Sequence, residues 1–264
     1  LVDAASGAIE QDALSEGRGA FAEALHLVSL TQEDGLEVRL LGGMAVRALC
    51  PWTARGGTGQ DLDLVSYSST IAKLTNLLTS EGYIPDARFN ALYGQKQMYF
   101  VSEKTGRPLD LILDRLEMCH TLDLAGRLHL VPTTLDPCDL LLSKLQIVEL
   151  NEKDVHDIIQ LLSTFPAHEG AYEVGTLELD RLSYVVGADW GWWRTVTLSL
   201  EKTRSLLTSD PGKYVPPHPV VDPLTQLDVL SKVAADCPKT IRWRMRAKVG
   251  ERVPWYRLPE EIEH

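Results

Sequence analysis

Apolar and polar positions follow two different periods along this chain. Near Gln11 to Thr31 the apolar residues Phe21, Leu25 and Val28 fall at helical spacing, with Leu14 about two turns earlier, while Gly17 and Gly19 weaken the start. Gly35 lies beyond the end of this helix. The short apolar run Val38-Arg39-Leu40-Leu41 leads into Gly42-Gly43, and Met44 to Leu49 reads as a helix opening. Asp61-Leu62-Asp63-Leu64-Val65 alternates with period two and reads as a strand. Ser66 to Ser80 returns to helical spacing, with Ser68 or Ser69 as cap, a stripe of Ile71, Leu74, Leu77 and Leu78, and Gly82 as terminator. Short strand-like pieces follow at Tyr83-Ile84, Gln97 to Val101, Leu109 to Leu113 and Leu128 to Val131, with turns at Gly94 and Gly106.

The pattern changes at Asp136-Pro137, which reads as a helix cap and first residue. Leu140 to Leu150 is apolar along one side, and a second helix is expected over roughly Glu152 to Ser163. Leu177 to Val186, Trp190 to Leu207 and Pro223 to Ala235 also read as helical, with the stiff connector Val215-Pro216-Pro217-His218-Pro219 before the last. The expected fold class is α+β: a small mixed sheet with helices over residues 1–135, then an α-helical region with a basic tail over residues 136–264.

Composition narrows the functional classes. At 264 residues, 44% hydrophobic and 24% charged, the chain is ordinary for a globular protein. No apolar run reaches bilayer-spanning length, no secretory signal is legible, and a cytoplasmic location is expected. Cys50, Cys119, Cys138 and Cys237 are widely spaced, as expected of reduced structural thiols. His120, His129, His156, His168 and His218 show no zinc spacing. The net charge of −11 argues against broad nucleic-acid binding. One stretch runs the other way: Lys239, Arg242, Arg244, Arg246, Lys248, Arg252 and Arg257 are opposed only by Glu251, and Trp243, Trp255 and Tyr256 interleave. This stretch reads either as a local phosphate-binding patch or as a cationic segment docked on an acidic body. Arg242, Arg244 and Arg246 alternate, so a strand would align them and a helix would spread them. The cluster Trp190, Trp192 and Trp193 reads as helix packing or as base-stacking surface.

The chemistry concentrates around Gly42-Gly43 and Asp61-Leu62-Asp63. Under period two Asp61 and Asp63 point the same way, and a carboxylate pair repels itself unless a cation intervenes; hard divalent cations take such ligands. Glycines at a helix start let backbone N–H groups approach a phosphate. A third carboxylate is expected from Leu109-Asp110-Leu111-Ile112-Leu113-Asp114, where Asp110, Ile112 and Asp114 share a face and Asp110 sits inside the apolar run. In the helical half Lys144 reads as a phosphate ligand or a snorkelling lysine, and Asp157 as a group that orients a lysine or accepts a proton. Lys153, Asp154 and Asp157 share one helix face. The stretch Gly56-Gly57-Thr58-Gly59 lacks the Lys-Ser/Thr of a P-loop.

The order of these parts resembles the nucleotidyltransferase superfamily that includes DNA polymerase beta: Leu40-Leu41-Gly42-Gly43, then Asp61-Leu62-Asp63, then Asp110 on an adjacent strand. Asp139-Leu140-Leu141-Leu142-Ser143-Lys144-Leu145 and Lys153-Asp154-Val155-His156-Asp157-Ile158-Ile159 resemble the helical signature of its AbiEii/AbiGii abortive-infection toxin branch. The resemblance covers roughly residues 36–163. The gap between Gly43 and Asp61 is longer than in that family, and Arg55 and Thr58 stand where its arginine and hydroxyl residue would be expected.

The resemblance implies metal-dependent transfer of an NMP from a nucleoside triphosphate to an acceptor hydroxyl. Asp61, Asp63 and Asp110 would hold Mg²⁺ (or Mn²⁺), and Gly42, Gly43, Arg55 and Lys144 would bind the nucleotide. Lys144 and Asp157 would act with the three carboxylates in catalysis. tRNA is an expected acceptor and an antitoxin protein an expected partner, in a toxin–antitoxin or phage-defence setting. A small-molecule nucleotidyltransferase of aminoglycoside-modifying type is an alternative, as is a binding protein on the same fold without activity.

Overall fold

The fold is that of a computed structural model, which describes residues 19–50 and 61–258. Those residues divide into two compact units. One runs as far as Arg115 and includes Asp123–Asp136; the other comprises Leu116–Leu122 and the chain from Pro137 onward.

The first unit is built on five strands. Helix α1 covers 19–33, and strand β1 (Arg39–Leu40) leads into α2 (Gly42–Leu49). Strand β2 (Leu62–Ser66), α3 (Ile71–Ser80), β3 (Tyr83–Pro85), α4 (Ala87–Tyr93), β4 (Gln97–Ser102) and β5 (Pro108–Leu113) follow. The sheet order is β1-β2-β5-β4-β3. Strands β2 and β5 are parallel, and every other neighbouring pair is antiparallel. Alternation sets the faces: Leu62 and Leu64 of β2, Phe100 of β4 and Leu109 and Leu111 of β5 are all fully buried, and each alternates with a partly exposed position. Burying such leucine side chains is worth roughly 2 kcal/mol each, which fixes the register, since a one-residue slip would turn them outward.

Three expectations for this unit need correction. Leu128 to Val131 is not a strand but a run of turns and bends, because Arg127 and Leu130 donate backwards to Leu124 and Arg127, and Leu128 N–H goes to the Tyr67 hydroxyl at 3.2 Å. The helix expected from Ser66 begins only at Ile71: Ser66 ends β2, Ser68–Thr70 forms a 3₁₀ turn, and neither Ser68 nor Ser69 caps the helix. Of its expected stripe only Leu74 and Leu78 are fully buried. Helix α4 was not expected at all; Asp86 caps it by accepting the Phe89 N–H at 2.8 Å.

The second unit takes in most of a small ribbon of β6 (Arg115–Glu117) and β7 (Thr121–Asp123). There α5 (Pro137–Leu145), α6 (Glu152–Thr164), α7 (Leu179–Ala188), α8 (Trp190–Ser209), the single turn α9 (Pro211–Tyr214), α10 (Pro223–Asp236) and α11 (Ile241–Val249) pack together, with a short parallel pair β8 (Ala167–His168) and β9 (Leu177–Glu178). Leu140, Leu142, Leu145, Ile158, Ile159 and Leu162 form a fully buried core between α5 and α6. The four cysteines are free thiols and buried. No helix among the described residues is long and apolar enough to cross a membrane.

Candidate active site

Parallel pairing of β2 with β5 sets Asp63 directly opposite Asp110, flanked by Leu62↔Leu109 and Leu64↔Leu111. The leucines face the core, so both carboxylates project from the other face of the sheet. Asp61 lies just before β2 and is exposed. On β4, Tyr99 stands opposite Asp110, and two positions away Gln97 Nε2 donates to Asp110 Oδ1 at 2.5 Å. Partial burial, with the nearby carboxylates of Asp110, Asp61 and Asp86, holds the Tyr99 phenol above its ordinary pKa. Asp61 and Asp110 thus act on one phenol.

Gly42 completes this cluster. It opens α2 with φ +66°, a value that L side chains adopt only under strain. A Cβ placed on it would collide with the Asp63 carboxylate. Glycine here permits both the backbone turn and the close approach of the helix start to Asp63. Leu41, the residue before the helix, carries no side chain that can cap it, so the first N–H groups of α2 depend on other acceptors. Leu41 N–H itself donates to the Asp63 carbonyl at 2.9 Å, tying the turn to β2.

A hard divalent cation fits this donor set. Two carboxylates stand side by side on adjacent strands, and Gly42 lets the start of α2 approach one of them closely. The three carboxylates do not form a finished site, however. Among the described residues no three His, Cys, Asp or Glu side chains converge closely enough to hold a metal. Arg55 and Thr58 lie outside the described residues. Asp114, just past the strand that carries Asp110, does not join the site. It takes φ +60° at the end of β5, and its carboxylate accepts the Ser68 N–H at 3.1 Å.

The helical unit gathers a second charged cluster. Lys144 Nζ on α5 lies 3.0 Å from Asp154 Oδ1 and 3.0 Å from Asp157 Oδ2, both on α6. Its side chain is only 13% exposed, so it is not a snorkelling lysine. Burial opposes its charge, but Asp157 and Asp154 outweigh burial and hold the amine above the ordinary lysine pKa. Asp154 also completes a capping box with Asn151 at the start of α6. Asp157 is fully buried, and Lys153, which shares its helix face in the sequence, is exposed. A second buried pair, Arg181 with Asp139 at 2.9 Å, links α7 to α5.

Sequence reasoning missed Gln97 and Tyr99, because their relevance comes only from pairing β4 to β5. The tail is a helix rather than a strand. Thr240 caps α11 by accepting the Trp243 N–H at 3.1 Å, and helical spacing puts Arg242 and Arg246 on one face and Arg244 and Lys248 on another. Compared with models of known protein families and with curated proteins, the chain matches none.

Proposed function

We propose that this chain is a metal-dependent nucleotidyltransferase that moves an NMP from a nucleoside triphosphate to an acceptor hydroxyl. The observation that carries this reading is the in-register pair Asp63 and Asp110, with Gly42 at the start of α2 packed against Asp63. A carboxylate pair beside the glycine start of a helix pairs a cation-binding function with a phosphate-binding one.

Mg²⁺ or Mn²⁺ held by Asp61, Asp63 and Asp110 would supply Lewis-acid polarisation of the phosphate and help an acceptor hydroxyl lose its proton. Gly42 and Gly43 offer backbone N–H groups to phosphate oxygens, strengthened by the α2 dipole. Gln97 acts as a positioning residue, since its hydrogen bond fixes the rotamer of Asp110. Arg55 keeps the nucleotide-binding part that the resemblance implies. For Lys144 and Asp157 the reading likewise keeps a charged amine for phosphate oxygens and a carboxylate that orients it; the short ion pairs at 3.0 Å support the second role.

The acceptor we favour is RNA, tRNA first, and the setting a toxin with a protein antitoxin. The exposed cations of α11 support an anionic acceptor over an aminoglycoside-like cation. Incubating the protein with each α-labelled nucleoside triphosphate, Mg²⁺ or Mn²⁺, and total tRNA, an aminoglycoside mixture or no added acceptor tests this. Label on RNA is the expected result. Label on the aminoglycoside would reassign the substrate, and label on neither acceptor nor protein would remove the transferase reading.

A further inference from the structure

The basic tail is fastened to the helical unit by aromatic rings and carbonyl contacts, which leaves most of its cations unused. Trp243 packs edge-on against Trp193 with centroids 5.3 Å apart, and Trp255 against Trp190 at 6.1 Å. Trp255 Nε1 donates to Thr195 Oγ1 at 3.1 Å. Arg246 lies 4.8 Å over the Trp190 ring and donates to the carbonyls of Gly250 at 2.6 Å and Val253 at 2.7 Å. Lys239 donates to the carbonyls of Ala234 and Ala235 at the end of α10. The opposing Glu251 is neutralised by Arg194 at 2.6 Å. Arg242, Arg244, Lys248, Arg252 and Arg257 are exposed, and among the described residues none of them has a carboxylate partner. A segment docked by charge on an acidic body would show the reverse.

Beside this stripe a pocket of about 340 Å³ opens between the start of α8 and α11. Trp190, Trp255 and Pro254 contribute to its lining, and Arg242 and Arg246 line it one helical turn apart. The Trp255 carbonyl would stand 2.5 Å from a Cβ on Gly191, so glycine is required for the close approach there. Asp189, also in the lining, uses its Oδ1 to cap α8 through the N–H groups of Gly191 and Trp192.

We infer that this pocket binds one nucleotide at the end of a single-stranded RNA, with the base against the Trp255 and Pro254 wall and its phosphate on Arg242, while Arg244 and Lys248 attract the phosphates that follow. Flat aromatic surface suits a base of any sequence, a guanidinium suits a phosphate, and the volume is of the size that takes a small ligand. The net charge of −11 would repel a polyanion elsewhere, which confines binding to this stretch. The inference rests on the nucleotidyltransferase reading only for what the bound strand is used for.

The test measures anisotropy of a short end-labelled single-stranded RNA with the full chain, at low and moderate salt, in the wild type, Arg242→Ala, Trp255→Leu and Lys73→Ala. Lys73 is an exposed cation of α3 and serves as the charge control. Wild-type affinity should fall as salt rises. Trp255→Leu should weaken binding roughly ten-fold, Arg242→Ala roughly five-fold with a shallower salt dependence, and Lys73→Ala should match the wild type. Arg242 lies on the surface, so its variant keeps the test valid should Trp255→Leu unfold. Adenosine monophosphate should compete in the wild type but bind far more weakly than the strand. Equal, salt-independent binding of the mononucleotide and the strand would make this a free-nucleotide site and overturn the inference. Unchanged RNA binding in Arg242→Ala would also overturn it. RNA binding that needs Arg242 and Trp255, in a protein that never transfers label, would uphold the pocket and remove the transferase. Undiminished transfer with RNA binding indifferent to both residues would do the opposite.

Discussion

Asp63 and Asp110 stand opposite each other on neighbouring parallel strands, and Gly42 packs against the first while Gln97 holds the second. This relationship joins a turn, two strands and a helix start into one arrangement. Each part of it can be removed separately.

Gly42→Ala tests the turn. The variant would carry a side chain at φ +66° and drive its Cβ into the Asp63 carboxylate. Left-handed strain alone costs roughly 1–2 kcal/mol, so urea unfolding should show at least that loss, and transfer should fall by much more. Gly35 provides the comparison: it has φ +69°, but nothing lies within 4 Å of a Cβ there. Gly35→Ala should lose similar stability and keep its activity. Equal activity losses in the two variants would show that strain, not contact with Asp63, is responsible.

Lys144 is expected to matter for folding as well as for chemistry. A lysine at this position on an apolar helix suggested a surface residue whose loss would be cheap. Instead its side chain is 13% exposed and faces two carboxylates. Removing one partner of a buried pair costs about 3–5 kcal/mol, so Lys144→Met should lower the unfolding midpoint strongly. Adding Asp154→Asn and Asp157→Asn should recover part of the loss, because the uncompensated charges go with it. A single Lys144→Met variant as stable as the wild type would show that the pairs contribute nothing.

Acid should weaken the helical unit through His120. Burial, partly opposed by Asp189, depresses its pKa to about 4, and its Nε2 meets Thr195 Oγ1 at 2.8 Å. An unfolded histidine titrates near 6.5. As pH falls, the unfolded chain therefore takes up the proton first. The stabilisation is complete above about 6.5 and is lost toward about 4, by up to roughly 3 kcal/mol. Urea midpoints across this window should fall in the wild type and stay flatter in His120→Gln. Parallel pH profiles would rule out His120 as the source.

Much of the fold could be read in the sequence because it follows local periodicity. Strands β4 and β5 alternate cleanly and β2 does so as far as Leu64, and α6, α8 and α10 carry clear starts: Asn151, Asp189 and Asp222 each accept a backbone N–H as cap. Long-range pairing was legible only through the resemblance, which set Asp110 on a strand adjacent to that of Asp63. Nothing between Val65 and Leu109 states that Asp63 will meet Asp110 rather than a neighbour two residues away; the matched leucines decide it. Gln97 and Tyr99 were hidden for the same reason. Helix α4 is only seven residues long, too short for a periodic signal. The short connection near Asn151 suggested that Lys144 and Asp157 would meet, and they lie 3.0 Å apart; Lys153, on the same helix face as Asp157 by spacing, is exposed. The alternating arginines of α11 left strand and helix open, and the cap at Thr240 accompanies the helix.

The central claim, that Asp63 and Asp110 work together in nucleotidyl transfer, is tested most directly by the rate of label transfer from a nucleoside triphosphate in Asp63→Asn and Asp110→Asn, measured beside thermal melting of the same proteins. Both substitutions preserve shape and remove charge. The expected result is a loss of roughly 100-fold or more in each, with melting unchanged or raised, since mutual repulsion of the two carboxylates is relieved. Transfer at the wild-type rate in either variant would contradict the account.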